Sequence, residues 1–299
     1  MGVGTWQWGD TFVWQYGRGY AETEVRAAYD AAMAVNLTFF DTAEVYGLGR
    51  SERFLGEFTQ APSSSGPVRV ATKYFPAPWR FTRGSVVRAL RGSLKRLRRP
   101  AVDLYQIHWP SPTIKIETLM EGLADAVEAG LTRAVGVSNF DLEQTELAHA
   151  ALARRGVALA SNQVHYSLLN RQVEGAGLLA RCAALGVTLI AYSPLEMGLL
   201  SGKYTPDQPP AGSRRRRYST DYLARIRPLL ARLREMGQAH GARTPVQVAL
   251  NWTMCKGTLP IPGAKNAQQV EQNAGALGWR LTAEEVAELD EASRAVQRT

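Results

Sequence analysis

The strongest constraint on this chain is an alternation. Eight short runs rich in β-branched, aliphatic or aromatic residues are separated by longer stretches with helical spacing. The runs are Gly2 to Trp6, Leu37 to Phe40, Val68 to Thr72, Asp103 to Ile107, Ala134 to Val137, Ala160 to Val164, Val187 to Ala191 and Thr258 to Ile261. Most are continuously apolar, as strands buried on both faces are. Parallel strands need crossover segments, and right-handed crossovers all wind one way. Eight strand-then-helix units therefore predict a closed α/β barrel, a (β/α)8 TIM barrel, as a single domain over residues 1–299. An apolar content of 45% supplies the core, and such barrels commonly run to about 250 residues or more.

The intervening stretches carry helix signals. Thr82 is placed to cap a helix whose apolar face is Val86, Leu90, Leu94 and Leu97. Leu119, Leu123 and Val127 form the next face, which stops at Gly130. Thr244-Pro245 reads as a cap followed by proline in the first turn. Thr282 with Glu285 fits a capping box. Gln60 to Pro67, with Ser63-Ser64-Ser65-Gly66, reads as a surface loop away from the chemistry. Thr205 to Ser219 carries Pro209-Pro210 and the run Arg214 to Arg217, inside an insertion at about 194–219. That insertion falls on the face where this fold carries its sites.

Bulk properties exclude several classes. The two cysteines, Cys182 and Cys255, lie far apart in apolar helical contexts and read as reduced core thiols. This fits a soluble protein of a reducing compartment. No apolar run reaches the ~18 residues of a membrane span. The opening Met1-Gly2-Val3-Gly4-Thr5-Trp6 already reads as a core strand, which is compatible with a targeting segment upstream of it. A net charge of +8 suits attraction of phosphorylated ligands. The basic residues are scattered and no nucleic-acid-binding motif is present, so no nucleic-acid partner is expected. No pair among the four His and two Cys has metal-ligand spacing, so no metal site is expected.

The chemistry sits just past the strands. Asp41 follows Phe39-Phe40, Lys73 follows Val70-Ala71-Thr72, and His108 follows Tyr105-Gln106-Ile107. Ser138-Asn139 follows Val135-Gly136-Val137, Gln163 lies in the sixth run, and Tyr192-Ser193 follows Ile190-Ala191. Each lies one strand-helix unit from the next. In a barrel all of them converge on the C-terminal mouth. An isolated buried charge costs several kcal/mol, so Asp41, Lys73 and His108 are best explained as one mutually satisfied cluster. Tyr46 lies in the first loop of that face. A neighbouring Lys73 ammonium is expected to lower the phenol's pKa, with Asp41 holding the lysine and His108 orienting a carbonyl. The set describes a proton donor poised for a carbonyl oxygen that gains charge as hydride arrives.

Asp41-Thr42-Ala43-Glu44-Val45-Tyr46-Gly47 resembles the signature of the aldo-keto reductase family. So do Ala71-Thr72-Lys73, Asp103 to Trp109, Gly136 to Phe140, Asn162-Gln163-Val164, Tyr192 to Leu195 and Ile261 to Ala264, in family order over nearly the whole chain. The resemblance implies NADPH-dependent reduction of aldehydes or ketones, with Tyr46 as general acid and Asp41, Lys73 and His108 completing a catalytic tetrad. It also implies a nicotinamide cofactor held without a Rossmann domain. In keeping with this, Gly47-Leu48-Gly49 lacks the third glycine of a dinucleotide fingerprint. By the same resemblance Ser138, Asn139 and Gln163 hold the carboxamide and Tyr192 stacks on the nicotinamide ring, with Thr5, Trp6 and Asp41 beside it. Ser193, Pro194, Leu195, Gly198, Leu199, Ser201 and Lys203 match the pyrophosphate-covering loop. Gly263, Lys265, Gln269, Gln272 and Asn273 match the adenosine-phosphate segment. Gln269 stands where many relatives carry Arg, so the preference for NADPH falls to Lys265 or to Arg214 to Arg217.

Trp6, Trp79 and Trp109, with Tyr74 and Phe75, fall on predicted mouth loops, where aromatic walls suit a planar or apolar carbonyl substrate. The segment around Gly263 to Asn266 and Gly275 to Trp279 resembles plastid-type branches of the family in plants and algae. That implies the cytoplasm or plastid stroma and a small aromatic aldehyde such as pyridoxal. A monomer is the family's default. Two rival readings use the same residues. One is a cofactor-sensing subunit of the potassium-channel β type, in which Asn usually replaces the residue at His108. The other is a Schiff-base aldolase with Lys73 as nucleophile.

Overall fold

The structure is a computed structural model, and it describes residues 1–60, 66–210 and 218–297. The serines 63–65 and the arginine run 214–217 lie outside the described residues. Eight parallel strands pair in the order of the sequence: β1 (Val3–Gly4), β2 (Phe39–Asp41), β3 (Arg69–Tyr74), β4 (Val102–Ile107), β5 (Thr132–Ser138), β6 (Leu159–His165), β7 (Thr188–Tyr192) and β8 (Leu259–Pro260). Every predicted run overlaps its strand. The last strand returns to the first through Gly2 N to Pro260 O at 3.0 Å, Gly4 N to Pro262 O at 3.1 Å and a parallel bridge from Gly4 to Gly263. The sheet thereby closes into the expected (β/α)8 barrel.

Helices fill the crossovers: α1 (Glu22–Ala34), α2 (Arg50–Phe58), α3 (Arg83–Leu97), α4 (Ile116–Glu128), α5 (Leu142–Ala153), α6 (Gln172–Gly175) and α7 (Leu178–Ala184). After β7 come α8 (Thr220–Arg225), α9 (Arg227–Ala239) and α10 (Pro245–Cys255), and after β8 come α11 (Ala267–Ala274) and α12 (Ala283–Arg294). Thr244 and Thr282 close capping boxes with Gln247 and Glu285. Gly130, at φ 68°, ends α4 in a Schellman turn, with Leu131 N donating to Ala126 O at 3.0 Å. Thr82 departs from expectation. It occupies the N-cap position of α3, but its hydroxyl makes no capping bond. Ser85 instead donates both its N–H and its hydroxyl to the Thr82 carbonyl.

Side-chain parity divides the strands. Phe40, Val70, Tyr105, Ile107, Val135, Val137, Leu189 and Ala191 face outward into the large core between sheet and helices. Ala71, Leu104, Ile190 and Ile261 face inward and fill the barrel with Phe39, Ala134, Ala160, Tyr192 and Leu259. Two residues beyond these inward positions stand Lys73, Gln106 and, from Phe39, Asp41. The period of two thus puts an apolar plug in the barrel and a polar layer above it at the C-terminal mouth. Among the described residues, no helix is long and apolar enough to cross a membrane, and no group of three His, Cys, Asp or Glu side chains could hold a metal ion.

Candidate active site

A cavity of about 670 Å³ opens at the mouth, above the plug. Its floor is a charged pair. The Lys73 ammonium, with a side chain 0% exposed, contacts Asp41 Oδ1 and donates to Thr42 O at 2.8 Å. Asp41 Oδ2 accepts from Gln163 Nε2 at 2.8 Å and Gln106 Nε2 at 3.2 Å. Every oxygen of this buried carboxylate is therefore engaged, which is what makes a buried charge tolerable. Burial pulls the Lys73 pKa below its ordinary value, and the Asp41 carboxylate opposes that.

Tyr46 stands over this pair. It opens a tight turn after β2, in which Gly47 and Leu48 both have φ of 55°. A Cβ on Gly47 would come within 2.6 Å of the Gly9 carbonyl, so glycine lets this turn press against the loop after β1. The Lys73 Nζ lies 5.0 Å from the centre of the Tyr46 ring. His108 meets that ring edge-on, with centroids 5.6 Å apart, and Trp6 also packs near it, with centroids 6.2 Å apart. The expected acidification of the phenol is corrected here. Burial, with the Asp41 carboxylate next, pushes Tyr46 well above its ordinary pKa. His108 is pushed down to about 3 by burial and by the Lys73 ammonium. At neutral pH the site therefore holds a protonated phenol and a neutral imidazole. His108 Nδ1 is buried without a hydrogen-bond partner among the described residues.

Of the residues expected to hold cofactor, all but Leu199 line this one cavity: Thr5, Trp6, Asp41, Ser138, Asn139, Gln163, Tyr192, Ser193, Pro194, Leu195, Gly198, Ser201, Lys203, Gly263, Lys265, Gln269, Gln272 and Asn273. Leu199 turns into the main core, 1% exposed. Asn139, in the left-handed region at φ 61°, donates to His108 O at 3.1 Å and accepts from the Tyr192 hydroxyl at 2.9 Å. Lys265 is held by the loop after β1. Its Nζ donates to Trp14 O at 3.2 Å and lies 4.3 Å from the Tyr20 ring centre. The Asn266 side chain caps α11 immediately after it.

Two expected substrate residues are corrected. Tyr74 is fully buried on the outer face of β3, its hydroxyl paired with Ser85 Oγ at 2.8 Å. Because Lys73 faces the barrel, its neighbour must face the helices. Trp79 is 75% exposed and does not line the cavity. Trp6 and Trp109 do, joined by Phe75. Sequence reasoning left Gln7, Gln106, Trp14, His165 and Glu196 unassigned. Gln106 and His165 could have been found, since they lie two residues from His108 and Gln163 along the same inward-facing rows.

Residues 1–294 match the model of the aldo/keto reductase family. The chain is 41% identical to chloroplastic pyridoxal reductase of Arabidopsis thaliana, covering 98% of this chain and 83% of the relative. It resembles a thermostable aldo-keto reductase crystallised with the inhibitor epalrestat (TM-score 0.78, 32% identity, 97% of this chain and 94% of the other). It also resembles an aldo-keto reductase of Klebsiella pneumoniae in complex with NADPH (TM-score 0.73, 30% identity, 97% and 89%). The chain therefore belongs to the aldo/keto reductase family of oxidoreductases.

Proposed function

We propose that this protein is an NADPH-dependent carbonyl reductase that converts aldehydes or ketones to alcohols, with Tyr46 as general acid. The observation that carries this reading is the stack at the cavity floor: the buried Asp41–Lys73 pair beneath the Tyr46 ring, with neutral His108 edge-on beside it. A dinucleotide fits the lining. Buried Gln7 Oε1 and His108 Nδ1 lack partners among the described residues. Glycine at 263 lets the Gln7 amide lie against the cavity wall, since a Cβ there would strike it at 1.9 Å. Lys203 and Lys265 supply cationic charge along the wall, and a Klebsiella relative is described in complex with NADPH.

A reduced nicotinamide bound there supplies hydride to the carbonyl carbon. Tyr46 gives its hydroxyl proton to the carbonyl oxygen, and the Lys73 ammonium stabilises the phenolate left behind. Asp41 keeps Lys73 charged and in place. The neutral imidazole of His108 has one N–H, which orients the carbonyl without itself giving up a proton. Trp6, Phe75 and Trp109 offer apolar faces to a planar substrate. Together with the chloroplastic relative, they make pyridoxal and other aromatic aldehydes the first substrates to try. Lys73 is a poor aldolase nucleophile, since it is buried beneath the wall and committed to Asp41 and Thr42. The soluble, reducing setting expected from the thiols, cytoplasm or plastid stroma, suits an NADPH enzyme.

The wild-type protein is expected to consume NADPH with nitrobenzaldehyde and with pyridoxal, followed by the loss of NADPH absorbance. Tight NADPH binding with no turnover on any carbonyl of a broad panel would favour the sensing role instead. Lys265→Ala is expected to weaken NADPH about tenfold, the size of one charge-assisted hydrogen bond. NADH, which lacks the extra phosphate, should change less than about twofold by the same arithmetic. Titration of protein fluorescence with each cofactor checks this, and equal losses would remove Lys265 as the phosphate anchor.

A further inference from the structure

The cavity wall holds a second polar pair that the proton chemistry does not use. His165, at the end of β6, and Glu196, in the turn after β7, meet at 2.5 Å between Nε2 and Oε2. Both line the cavity. On the other side of the ring, Asn170 Nδ2 donates to His165 Nδ1 at 2.8 Å. A ring nitrogen that accepts a hydrogen bond carries no proton. The imidazole proton therefore sits on Nε2 and is donated to the Glu196 carboxylate. The imidazole also lies flat against Tyr192, with centroids 5.3 Å apart and planes 13° apart. The ring expected to support the nicotinamide thus has the imidazole against one of its faces.

The turn bearing Glu196 is strained. Ser193, Glu196 and Met197 have φ of 50°, 49° and 52°, each without being glycine. Such backbone is unfavourable for a residue with a Cβ and persists only where the surroundings hold it. The Glu196 side chain is 8% exposed, so its carboxylate oxygens also need hydrogen-bond donors. Its charge would also oppose a diphosphate in the same loop unless it is drawn aside. The His165 N–H meets both needs.

We propose that His165 and Glu196 form a clasp that ties the turn Ser193 to Gly202 to the end of β6 and steadies Tyr192 by stacking, so that it sets how slowly the dinucleotide leaves. This rests on the reading of the cavity as a dinucleotide site. Both are positioning residues, acting on the cofactor through the loop and through Tyr192.

The test is stopped-flow displacement of NADPH from the full chain, read by recovery of protein fluorescence. Glu196→Ala and His165→Leu should each speed release about tenfold, the size of one charge-assisted hydrogen bond. The double variant should release no faster than His165→Leu alone, because Glu196→Ala removes only a contact that His165→Leu has already removed. Glu196→Gln keeps an oxygen for the imidazole proton and should restore slow release. Additive effects, unchanged release in Glu196→Ala, or a Glu196→Gln variant as fast as Glu196→Ala would overturn the clasp. Should His165→Leu fail to fold, the two Glu196 variants decide alone. A wild-type protein whose fluorescence does not respond to NADPH would overturn the cavity reading itself, a result distinct from an unaltered release rate in the variants.

Discussion

Replacing Tyr46 by Phe is expected to cut carbonyl reduction by about 10²- to 10⁴-fold, the range ascribed to a single general acid, while NADPH affinity stays near wild type. The change removes one hydroxyl and keeps the ring that meets Trp6 and His108. The floor beneath is untouched, because Lys73 is held by Asp41 and Thr42 and not by the phenol. Steady-state rates with nitrobenzaldehyde and a fluorescence titration with NADPH check both halves. Turnover within tenfold of wild type would remove Tyr46 from the acid's role.

The same geometry fixes a pH dependence. The acid is the protonated phenol, and Tyr46 is pushed well above its ordinary value, so this form persists through neutral pH. His108, at about 3, is already neutral there. Reduction in the wild type should therefore be nearly flat from about pH 5 to about pH 9. Alcohol oxidation needs the deprotonated phenol, whose fraction grows about tenfold per pH unit below the pKa. Its rate should rise across the same range. A bell-shaped reduction profile centred near neutrality would contradict the assignment.

Much of this was legible because a barrel imposes two simple rules. Parallel strands covered on both sides read as apolar runs, and all eight could be placed from that alone. Their C-terminal ends share one mouth, so the residue after each run points to the site, and Asp41, Lys73 and His108 were found that way. What failed was parity within the loops and ends. Tyr74 follows an inward lysine and must face outward, yet an aromatic residue beside a mouth lysine invites a substrate role. Trp79 and Leu199 sit in turns with no period to orient them. The register shift between β5 and β6 at Val135 and Gly136 has no signature in composition. Lys265 reads from the sequence only as a phosphate-binding charge at the start of a helix. Its aromatic seat on Trp14 and Tyr20 comes from a loop some 250 residues earlier, the 251-residue separation of its bond to Trp14, and no local pattern reports a contact of that range. The direction of the Tyr46 shift also escaped, because burial depends on the assembled cavity and the Asp41 carboxylate pushes the same way.

The second large effect is expected at the floor itself. Asp41→Asn leaves the Lys73 ammonium buried without its counter-charge, and breaking a buried pair from one side costs about 3–5 kcal/mol. That is a large share of the roughly 5–15 kcal/mol that holds a domain folded. Lys73 already has a pKa below its ordinary 10.5, through burial, with Asp41 opposing the fall. Removing Asp41 lowers it further. In the pH window between the folded and unfolded values, the unfolded chain binds more protons, so stability rises with pH. Urea unfolding from pH 7 to pH 10 should therefore show the Asp41→Asn deficit shrinking as pH rises. The apolar double replacement Asp41→Leu with Lys73→Met removes both charges at once. It should recover much of the lost stability, as apolar replacements of buried pairs often do, leaving Gln163 and Gln106 to pair with each other at their present 3.3 Å. Yet it should reduce no carbonyl, because the phenolate formed at Tyr46 would have no ammonium beside it. A double variant as unstable as Asp41→Asn, or one that still turns over aldehyde, would show that the pair is not kept in this barrel for its chemistry.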